Sequence, residues 1–204
     1  MDRKIIKKYW ENNKQEFQGD YISKIVLKLA KNYIKGGVLD IGAGSGALIR
    51  KIPNSIGIDI IPNNLVQEGE ITNLKFDDNS FDTVFCTEVI EHLNNEDIEK
   101  GINEIYRVLK PKGNLILTTP YNENLKKGEL ICPKCNFRFH LWQHLQSFDS
   151  NRIKKVLSNF KIINIKIKSF SFYTMNPRFY FLEPLVKRLY KNISKTLFIV
   201  AKKK

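Results

Sequence analysis

Apolar positions along the chain follow two periods, one typical of helices and one typical of buried strands. Residues 3–34 predict two helices broken near Gln18-Gly19-Asp20, and the second repeats apolar side chains every four positions at Tyr21, Ile25, Leu29 and Tyr33. From residue 36 onward, short apolar runs alternate with helical patterns. The expected strands are 38–41, 55–60, a short strand near Glu70, 83–86 and 114–118. This alternation predicts an α/β fold with a mostly parallel sheet and helices on both faces.

The helices and the C-terminal part are marked less clearly. Residues 47–51 are expected to lie in the first helix of the α/β region. Asn95 is the expected N-cap of a helix to Leu109, because Glu96 and Asp97 would occupy its first turn. After residue 120 the pattern loosens into an insertion, followed by a helix over 150–160 and strands over 162–170 and 196–200. Between these strands, apolar positions opposite lysine and arginine predict a basic amphipathic helix over 182–193.

Composition limits the domain count and the location. A chain of 204 residues fills one hydrophobic core, so a single domain is expected. No window approaches 18 consecutive apolar residues, and the first eight residues lack the apolar core of a signal peptide. The sequence therefore predicts a soluble, cytoplasmic protein without a transmembrane segment.

The net charge of +13 is concentrated at the two ends. Residues 1–35 carry +5 and residues 161–204 carry +10, whereas residues 36–160 carry −2. One interpretation is an anionic partner, such as RNA, a phosphorylated metabolite or a membrane surface. The other is a lysine-rich solvated exterior, which the lack of an arginine cluster and of interleaved aromatic residues favours.

The strand at 38–41 leads directly into three alternating glycines, Gly42, Gly44 and Gly46. Glycine lets the turn tighten, a ligand approach the backbone, and the following segment pack closely. Together with Asp59 at the end of the second strand, this loop predicts a nucleoside-ligand site. Asp40 would repel a pyrophosphate but attract a cationic amino group, so a zwitterionic ligand is favoured over a dinucleotide.

These motifs occur in a recognisable order. Residues 40–46 read D-x-G-x-G-x-G, Asp59 ends the second strand, and residues 76–82 read F-D-D-N-S-F-D. The chain thus closely resembles the class I S-adenosylmethionine-dependent methyltransferases, in particular the ubiquinone-pathway O-methyltransferases and the type 11 methyltransferase group. The resemblance is strong over 36–120 and loose over 145–204. It implies a Rossmann-like, mostly parallel seven-stranded sheet with an antiparallel C-terminal edge.

The resemblance also implies how S-adenosylmethionine binds. The glycine loop would hold the methionine part, Asp59 the ribose hydroxyls and Glu70 the adenine amino group, while Ile60 and Ile71 would flank the ring or simply belong to the core. The full set of implied cofactor-binding residues is Asp40, Gly42, Ala43, Gly44, Gly46, Asp59, Ile60, Glu70, Ile71 and Thr87. Residues 1–35 would then form a helical lid, 36–120 the cofactor-binding core, 121–148 an insertion, and 149–204 the rest of the sheet.

A catalytic group is expected after the fourth strand, in Glu88-Val89-Ile90-Glu91-His92. Positions i, i+3 and i+4 share one face of a helical turn, so Glu88, Glu91 and His92 could converge on a catalytic divalent ion. This E-x-x-E-H resembles the metal site of ubiquinone-pathway O-methyltransferases and of small-RNA ribose 2′-O-methyltransferases. Both draw a further histidine from beyond strand five, here His140 or His144. The alternative is metal-free, with His92 as a general base.

A second metal site is predicted in the insertion. Cys132 and Cys135 form C-x-x-C, and His140 and His144 form H-x-x-x-H, which together match the ligands of a structural zinc site. Because four residues separate the two pairs, a compact knuckle is expected rather than a nucleic-acid-reading finger. The alternative is a reduced cysteine pair with two packing histidines. The two metal hypotheses compete for the same histidines.

The expected function is S-adenosylmethionine-dependent O-methylation of a small or medium-sized acceptor, and the basic chain ends would suit an anionic one. Thr119-Pro120-Tyr121-Asn122 resembles the S/T-P-N of the ubiquinone-pathway enzymes and follows the wrong strand for a base-amine methyltransferase. Aromatic residues that could line the acceptor pocket are Tyr9, Trp10, Tyr121 and Trp142. The alternatives are an RNA ribose 2′-O-methyltransferase and a non-catalytic module that binds a nucleoside cofactor or a membrane surface. Asp40 and Gly46 disfavour a nicotinamide-dependent dehydrogenase.

Overall fold

The computed structural model describes residues 3–12, 19–169 and 195–204. Within them, seven strands form one sheet, two form a hairpin, and four α-helices are present. The helices are α1 Arg3–Asn12, α2 Gly19–Ala30, α3 Asn95–Val108 and α4 Ser150–Val156. The strands are β1 Val38–Ile41, β2 Ser55–Asp59, β3 Gln67–Glu68, β4 Phe81–Thr87, β5 Leu109–Pro120, β6 Glu129–Ile131, β7 Arg138–His140, β8 Phe160–Ser169 and β9 Lys195–Lys203.

The main sheet has the strand order β3-β2-β1-β4-β5-β9-β8. Neighbours from β3 to β5 pair in parallel, whereas β9 runs antiparallel to both β5 and β8. The expected seven-stranded sheet with an antiparallel C-terminal edge is therefore confirmed. Because β1 lies between β2 and β4, the chain reverses direction across the sheet at β1. Ligands of such folds bind at this point, outside the carboxyl ends of the strands.

Alternate residues of the central strands face two hydrophobic layers. Leu39 and Ile41 lie in the larger layer, which α3 covers through Ile98, Ile102 and Ile105. The opposite layer contains residues of α2 and of four strands, namely Val26, Ala30, Val38, Phe85, Ile116, Phe198 and Val200. Burial on both faces explains why the strands are continuously apolar rather than alternating.

Two predicted helix features are wrong. Residues 47–51 do not form an α-helix; a turn leads into a single 3₁₀ turn, Ile49–Lys51. The glycine loop extends to Gly46 and β2 begins at Ser55, so too few residues are left for a helix of useful length. The N-cap of α3 is Asn94 rather than Asn95, since the Asn94 side chain accepts a hydrogen bond from the Asp97 backbone amide at 2.8 Å.

The C-terminal elements also differ in their bounds. Helix α4 ends at Val156, so the strand predicted to start at 162 begins at Phe160. The insertion contains a 3₁₀ turn, Leu125–Gly128, and the antiparallel hairpin β6–β7. The amphipathic helix expected over 182–193 lies outside the described residues. None of the helices within the described ranges has the length and apolar character needed to cross a lipid bilayer.

Candidate active site

The glycine loop leaves β1 at the carboxyl edge of the sheet. Gly42, Gly44 and Gly46 all have positive φ, at 72°, 52° and 74°, which explains why the sequence uses glycine there. A Cβ on Gly42 would lie 2.4 Å from the Val89 side chain, whereas a Cβ on Gly44 would meet nothing within 4 Å. Gly42 therefore serves packing, and Gly44 lies beside open space that a ligand can enter.

Asp59 fixes the conformation of this loop. Its Oδ2 accepts a hydrogen bond from the Gly44 backbone amide at 2.9 Å, and its Oδ1 accepts one from Ile61 at 2.9 Å. Burial raises the pKa of Asp59, and the backbone hydrogen bonds oppose that rise. Asn63, which the sequence analysis missed, donates to the Gly44 carbonyl at 2.8 Å. The acid at the end of β2 thus holds the loop through the Gly44 amide.

Asp40 is buried within the sheet, with 2% of its surface exposed. Its Oδ1 accepts no hydrogen bond, although such an orphaned acceptor is costly in a protein interior. Burial, followed by the nearby charge of Asp59, raises the pKa of Asp40 to about 8. An orphaned buried carboxyl oxygen at the base of the loop fits a cationic group such as the amino group of S-adenosylmethionine.

The remaining residues of the expected cofactor set have mixed positions. Ala43, within the loop, packs against β2, since a Cβ on Gly57 would lie 2.9 Å from the Ala43 Cβ. Ile71 belongs to the core and contacts α3 at Gly101, so the structure favours the core interpretation for it. Glu70 is exposed and forms an isolated β-bridge with Asn73. Ile60 and Thr87 are both half-buried. Ile60 directly follows β2 and Thr87 is the last residue of β4, so both lie at the carboxyl edge of the sheet.

Two of the three expected residues of the E-x-x-E-H segment, Glu91 and His92, converge, whereas Glu88 is in neither of the ligand clusters that the described residues form. Glu88 has a positive φ of 54°, and residues Ile90–His92 form a 3₁₀ turn. In spite of this, ligand atoms of Glu91, His92 and His144 all lie within 4.8 Å of one another. Thr119 at the end of β5 donates to Glu91 Oε2 at 3.1 Å. The segment from β7 is attached to the same turn, since the amides of Leu145 and Gln146 donate to the Glu91 carbonyl.

Burial dominates the electrostatics of this cluster. It raises the pKa of Glu88 to about 7 and raises that of Glu91 well above its ordinary value. Burial, followed by the neighbouring His144, lowers the pKa of His92 to about 3. The Oε1 atoms of Glu88 and Glu91 are buried without a hydrogen-bond partner. The group therefore combines a neutral imidazole with two carboxyl groups that lack partners for one oxygen each.

The two histidines of the insertion lie with Glu123, a residue the sequence analysis did not identify. His144 Nδ1 lies 2.5 Å from Glu123 Oε2, and His140 Nε2 lies 3.8 Å from Glu123 Oε1. The two imidazole rings stack at 4.8 Å, and burial lowers the pKa of His140. His140 and His144 were the two candidates for a further ligand beside Glu91 and His92. Among the described residues, His144 is the one that lies with them.

The cysteine pair is separated from these histidines by the hairpin. His140 pairs with Glu129 in the first register position of β6–β7, and Ile131 pairs with Arg138 in the last. Cys132 follows Ile131, so it lies three residues beyond Glu129, about 10 Å along the strand. The expected set of Cys132, Cys135, His140 and His144 is therefore not brought together. The histidines join Glu123 instead, because the hairpin is extended where a folded knuckle was expected.

Helix α1 lies over the carboxylate and imidazole cluster. The Trp10 ring meets the His92 ring edge-on at 5.4 Å, and the Tyr9 hydroxyl donates to the Leu141 carbonyl. Lys7 forms a 2.6 Å ion pair with Glu68 of β3. These contacts place α1 beside His92, Leu141 and Glu68. The lid expected of residues 1–35 stays a prediction.

Comparison with known proteins is consistent with this geometry. A family profile described as a methyltransferase domain matches residues 39–117. An uncharacterised protein of Methanocaldococcus jannaschii is 36% identical over 66% of this chain and 62% of its own length. Phosphoethanolamine N-methyltransferase 1 of Triticum aestivum is 26% identical over 57% of this chain and 30% of its own length. The chain thus spans less than two thirds of either relative.

A solved structure shows the same fold. A SAM-dependent methyltransferase of Methanosarcina mazei superposes with a TM-score of 0.59 at 20% identity, covering 86% of this chain and 96% of that chain. The likeness covers most of both chains and is a likeness of fold.

Proposed function

We propose that this chain, whose residues 39–117 match a methyltransferase domain and whose sheet has the fold of such enzymes, is a class I S-adenosylmethionine-dependent methyltransferase that methylates an oxygen of a small or medium-sized acceptor. The observation that carries this proposal is the position of Glu88, Glu91 and His92. They follow β4, which pairs in parallel with β1, so they lie beside the glycine loop at the same edge. An acceptor held against them would lie next to a bound cofactor.

Asp40, the glycine loop and Asp59 would bind and orient the cofactor. The orphaned Asp40 oxygen suits the amino group, and the open space at Gly44 admits the ligand. When bound, S-adenosylmethionine supplies an electrophilic methyl group on a sulfonium. Helix α1 would exclude water above the site, which favours transfer to the aligned acceptor over hydrolysis.

A hydroxyl acceptor has to lose its proton as its oxygen bonds to the methyl carbon. We assign proton acceptance to Glu88, whose buried Oε1 has no hydrogen-bond partner. A base works best when its pKa lies near the working pH, and the pKa of Glu88 is about 7. The metal-free role expected for His92 is not favoured, since an imidazole with a pKa of about 3 is a weak base.

The same residues fit a divalent metal ion. Glu88 and Glu91 each have one buried oxygen without a partner, and His92 is in the neutral form that ligates metals. Glu91, His92 and His144 would hold the ion, which would stabilise negative charge on the acceptor oxygen. Glu123 at His144 Nδ1 would fix the ring so that Nε2 is the ligand atom.

The test measures S-adenosylhomocysteine release with a panel of phenols, hydroxy acids and sugars, alongside amine and thiol analogues. We expect the methyl group on oxygen in the product, and Glu88→Gln to lower kcat by about 100-fold or more with little change in the KM for S-adenosylmethionine. Glu99→Gln, on an exposed position of α3, is the matched control and should leave kcat unchanged. Methyl transfer only to nitrogen or carbon would contradict the proposal.

A metal requirement is tested separately by titrating Mg²⁺, Mn²⁺ and Zn²⁺ into chelator-treated protein. Calorimetry should detect binding in the wild type and its loss in Glu91→Gln, whether or not an acceptor is known. Unchanged metal binding by Glu91→Gln would show that the ion is not bound at this cluster.

A second candidate function is ribose 2′-O-methylation of RNA, supported by the Glu91, His92 and His144 cluster and by the basic chain ends. It predicts that RNA affinity falls steeply as salt rises, because lysine–phosphate contacts release counterions. No RNA binding at low salt would exclude it. Methyl transfer to any acceptor would exclude the non-catalytic binding module.

A further inference from the structure

The hairpin β6–β7 carries two thiols, and the proposed methyl transfer gives neither of them a role. Cys132 is half-buried and Cys135 is exposed, at the turn that joins the two strands. We call residues 129–140 the thiol hairpin. It projects from the insertion, outside the seven-stranded sheet.

The turn that joins β6 to β7 carries both thiols. The Cys132 amide donates to the Phe137 carbonyl at 2.9 Å, and the Asn136 amide donates to the Cys132 carbonyl at 2.9 Å. Asn136 has a φ of 56°, so the chain turns directly after Cys135. Backbone hydrogen bonding and the neighbouring Cys135 lower the pKa of the Cys132 thiol, which favours the thiolate, the form in which cysteine binds zinc. Both cysteines thus belong to one hydrogen-bonded turn, residues 132–137.

One chain cannot complete this site with soft ligands. The sequence contains three cysteines and three histidines, and the structure describes all six. Cys86 is fully buried in β4, inside the main sheet. His92, His140 and His144 lie in the clusters with Glu91 and Glu123. A closed structural zinc site needs four ligands, mostly thiolate or imidazole, and the thiol hairpin provides two.

We propose that a second copy of this chain supplies the other two ligands, so that Cys132 and Cys135 of two molecules together bind one Zn²⁺. Four thiolates around one Zn²⁺ satisfy its tetrahedral preference, and the thiol protons are released to solvent on binding. The arrangement is two-fold symmetric, because each copy contributes the same turn to the shared ion.

The surroundings of the turn suit such a contact. A tetrathiolate zinc site carries two negative charges, and each copy brings Lys134, which lies between the two cysteines in the sequence. Arg138 is ion-paired with Glu129 at 3.3 Å. Apolar side chains of the same hairpin are exposed, with Leu130 at 43%, Ile131 at 50% and Phe137 at 52%. The Phe137 and Phe139 rings stack at 6.4 Å on one face. Leu130, Phe137 and Phe139 lie on the same face of the hairpin, and Ile131 lies on the other face. Burying Leu130 and Phe137 against a second hairpin would add hydrophobic stabilisation that the metal bond alone does not give.

The test uses the full chain purified under reducing conditions, with zinc content measured beside molar mass by light scattering. We expect one zinc per two chains in a dimer, conversion to monomer on removal of zinc with a chelator, and return of the dimer when Zn²⁺ is added back. Co²⁺ in place of Zn²⁺ should give the absorption of a tetrahedral tetrathiolate complex.

Cys132→Ser and Cys135→Ser should each lose the zinc and the dimer. Cys86→Ala is the matched control, since it removes the third thiol of the chain from outside the hairpin, and it should retain both. One zinc held by a monomer, a dimer that survives zinc removal, or metal-free protein with a Cys132–Cys135 disulfide would each overturn the proposal. Methyl transfer is not part of the readout, so this result is independent of the proposed activity.

Discussion

Asp40 provides the sharpest test of how the cofactor is held. Its pKa is about 8 because it is buried and lies near Asp59, so at pH 6.5 the carboxyl group is almost fully protonated in the free protein. S-adenosylhomocysteine carries the same amino group as the methyl donor. An ammonium group beside Asp40 favours the ionised carboxylate, and binding should therefore release the proton.

The size of the effect follows from the pKa. With a pKa of about 8, binding should release about one proton at pH 6.5 and about a quarter of a proton at pH 8.5. Affinity should then rise about 25-fold between these two pH values. The sign is opposite for stability: an acid whose pKa is raised in the folded state lowers the free energy of unfolding as pH rises from about 4 to about 8.

Calorimetry in buffers of different ionisation enthalpy measures the proton release directly. Asp40→Asn keeps the shape of the side chain and removes the titration, so its affinity should be independent of pH in this range. At pH 8.5 it should bind S-adenosylhomocysteine about 10- to 150-fold more weakly, the equivalent of about 1.5–3 kcal/mol for a lost charged hydrogen bond. No proton release by the wild type at pH 6.5, or equal release by Asp40→Asn, would refute the assignment.

Two further variants separate binding from folding in the glycine loop. Gly44→Ala should lower the free energy of unfolding by about 1–2 kcal/mol because of its positive φ, and it should abolish cofactor binding because the new methyl group fills the open space. Gly42→Ala should destabilise the fold more, because its Cβ would clash with Val89. Thermal unfolding and calorimetry would distinguish the two variants, and tight cofactor binding by Gly44→Ala would contradict the loop as the ligand site. Asp59→Ala should weaken cofactor binding and also increase hydrogen exchange at the Gly44 amide, because its carboxylate accepts from that amide; unchanged affinity would contradict the ribose role.

The sequence by itself determined the sheet and the glycine loop, because both are encoded locally. Continuous apolar runs specify buried parallel strands, and β1, β2, β4 and β5 appear within a few residues of their predicted places. Positive φ at Gly42, Gly44 and Gly46 is readable from residue type alone. The helix predicted at 47–51 is absent because too few residues remain between the glycine loop and the start of β2, and the local sequence pattern does not show where either one ends.

Only the tertiary structure decided how the histidines are shared. The Glu91, His92 and His144 cluster joins residues from two segments 52 positions apart. Glu123 joins it through the 2.5 Å contact of its Oε2 with His144 Nδ1. Spacing in the sequence suggested that these histidines would join Cys132 and Cys135, since only four residues intervene. The turn ends before β7, and Arg138 and Phe139 then extend towards His140, so the thiols lie at the other end of the hairpin from His140. Residues close in the sequence stay close in space only where the backbone between them folds back, and β7 is extended.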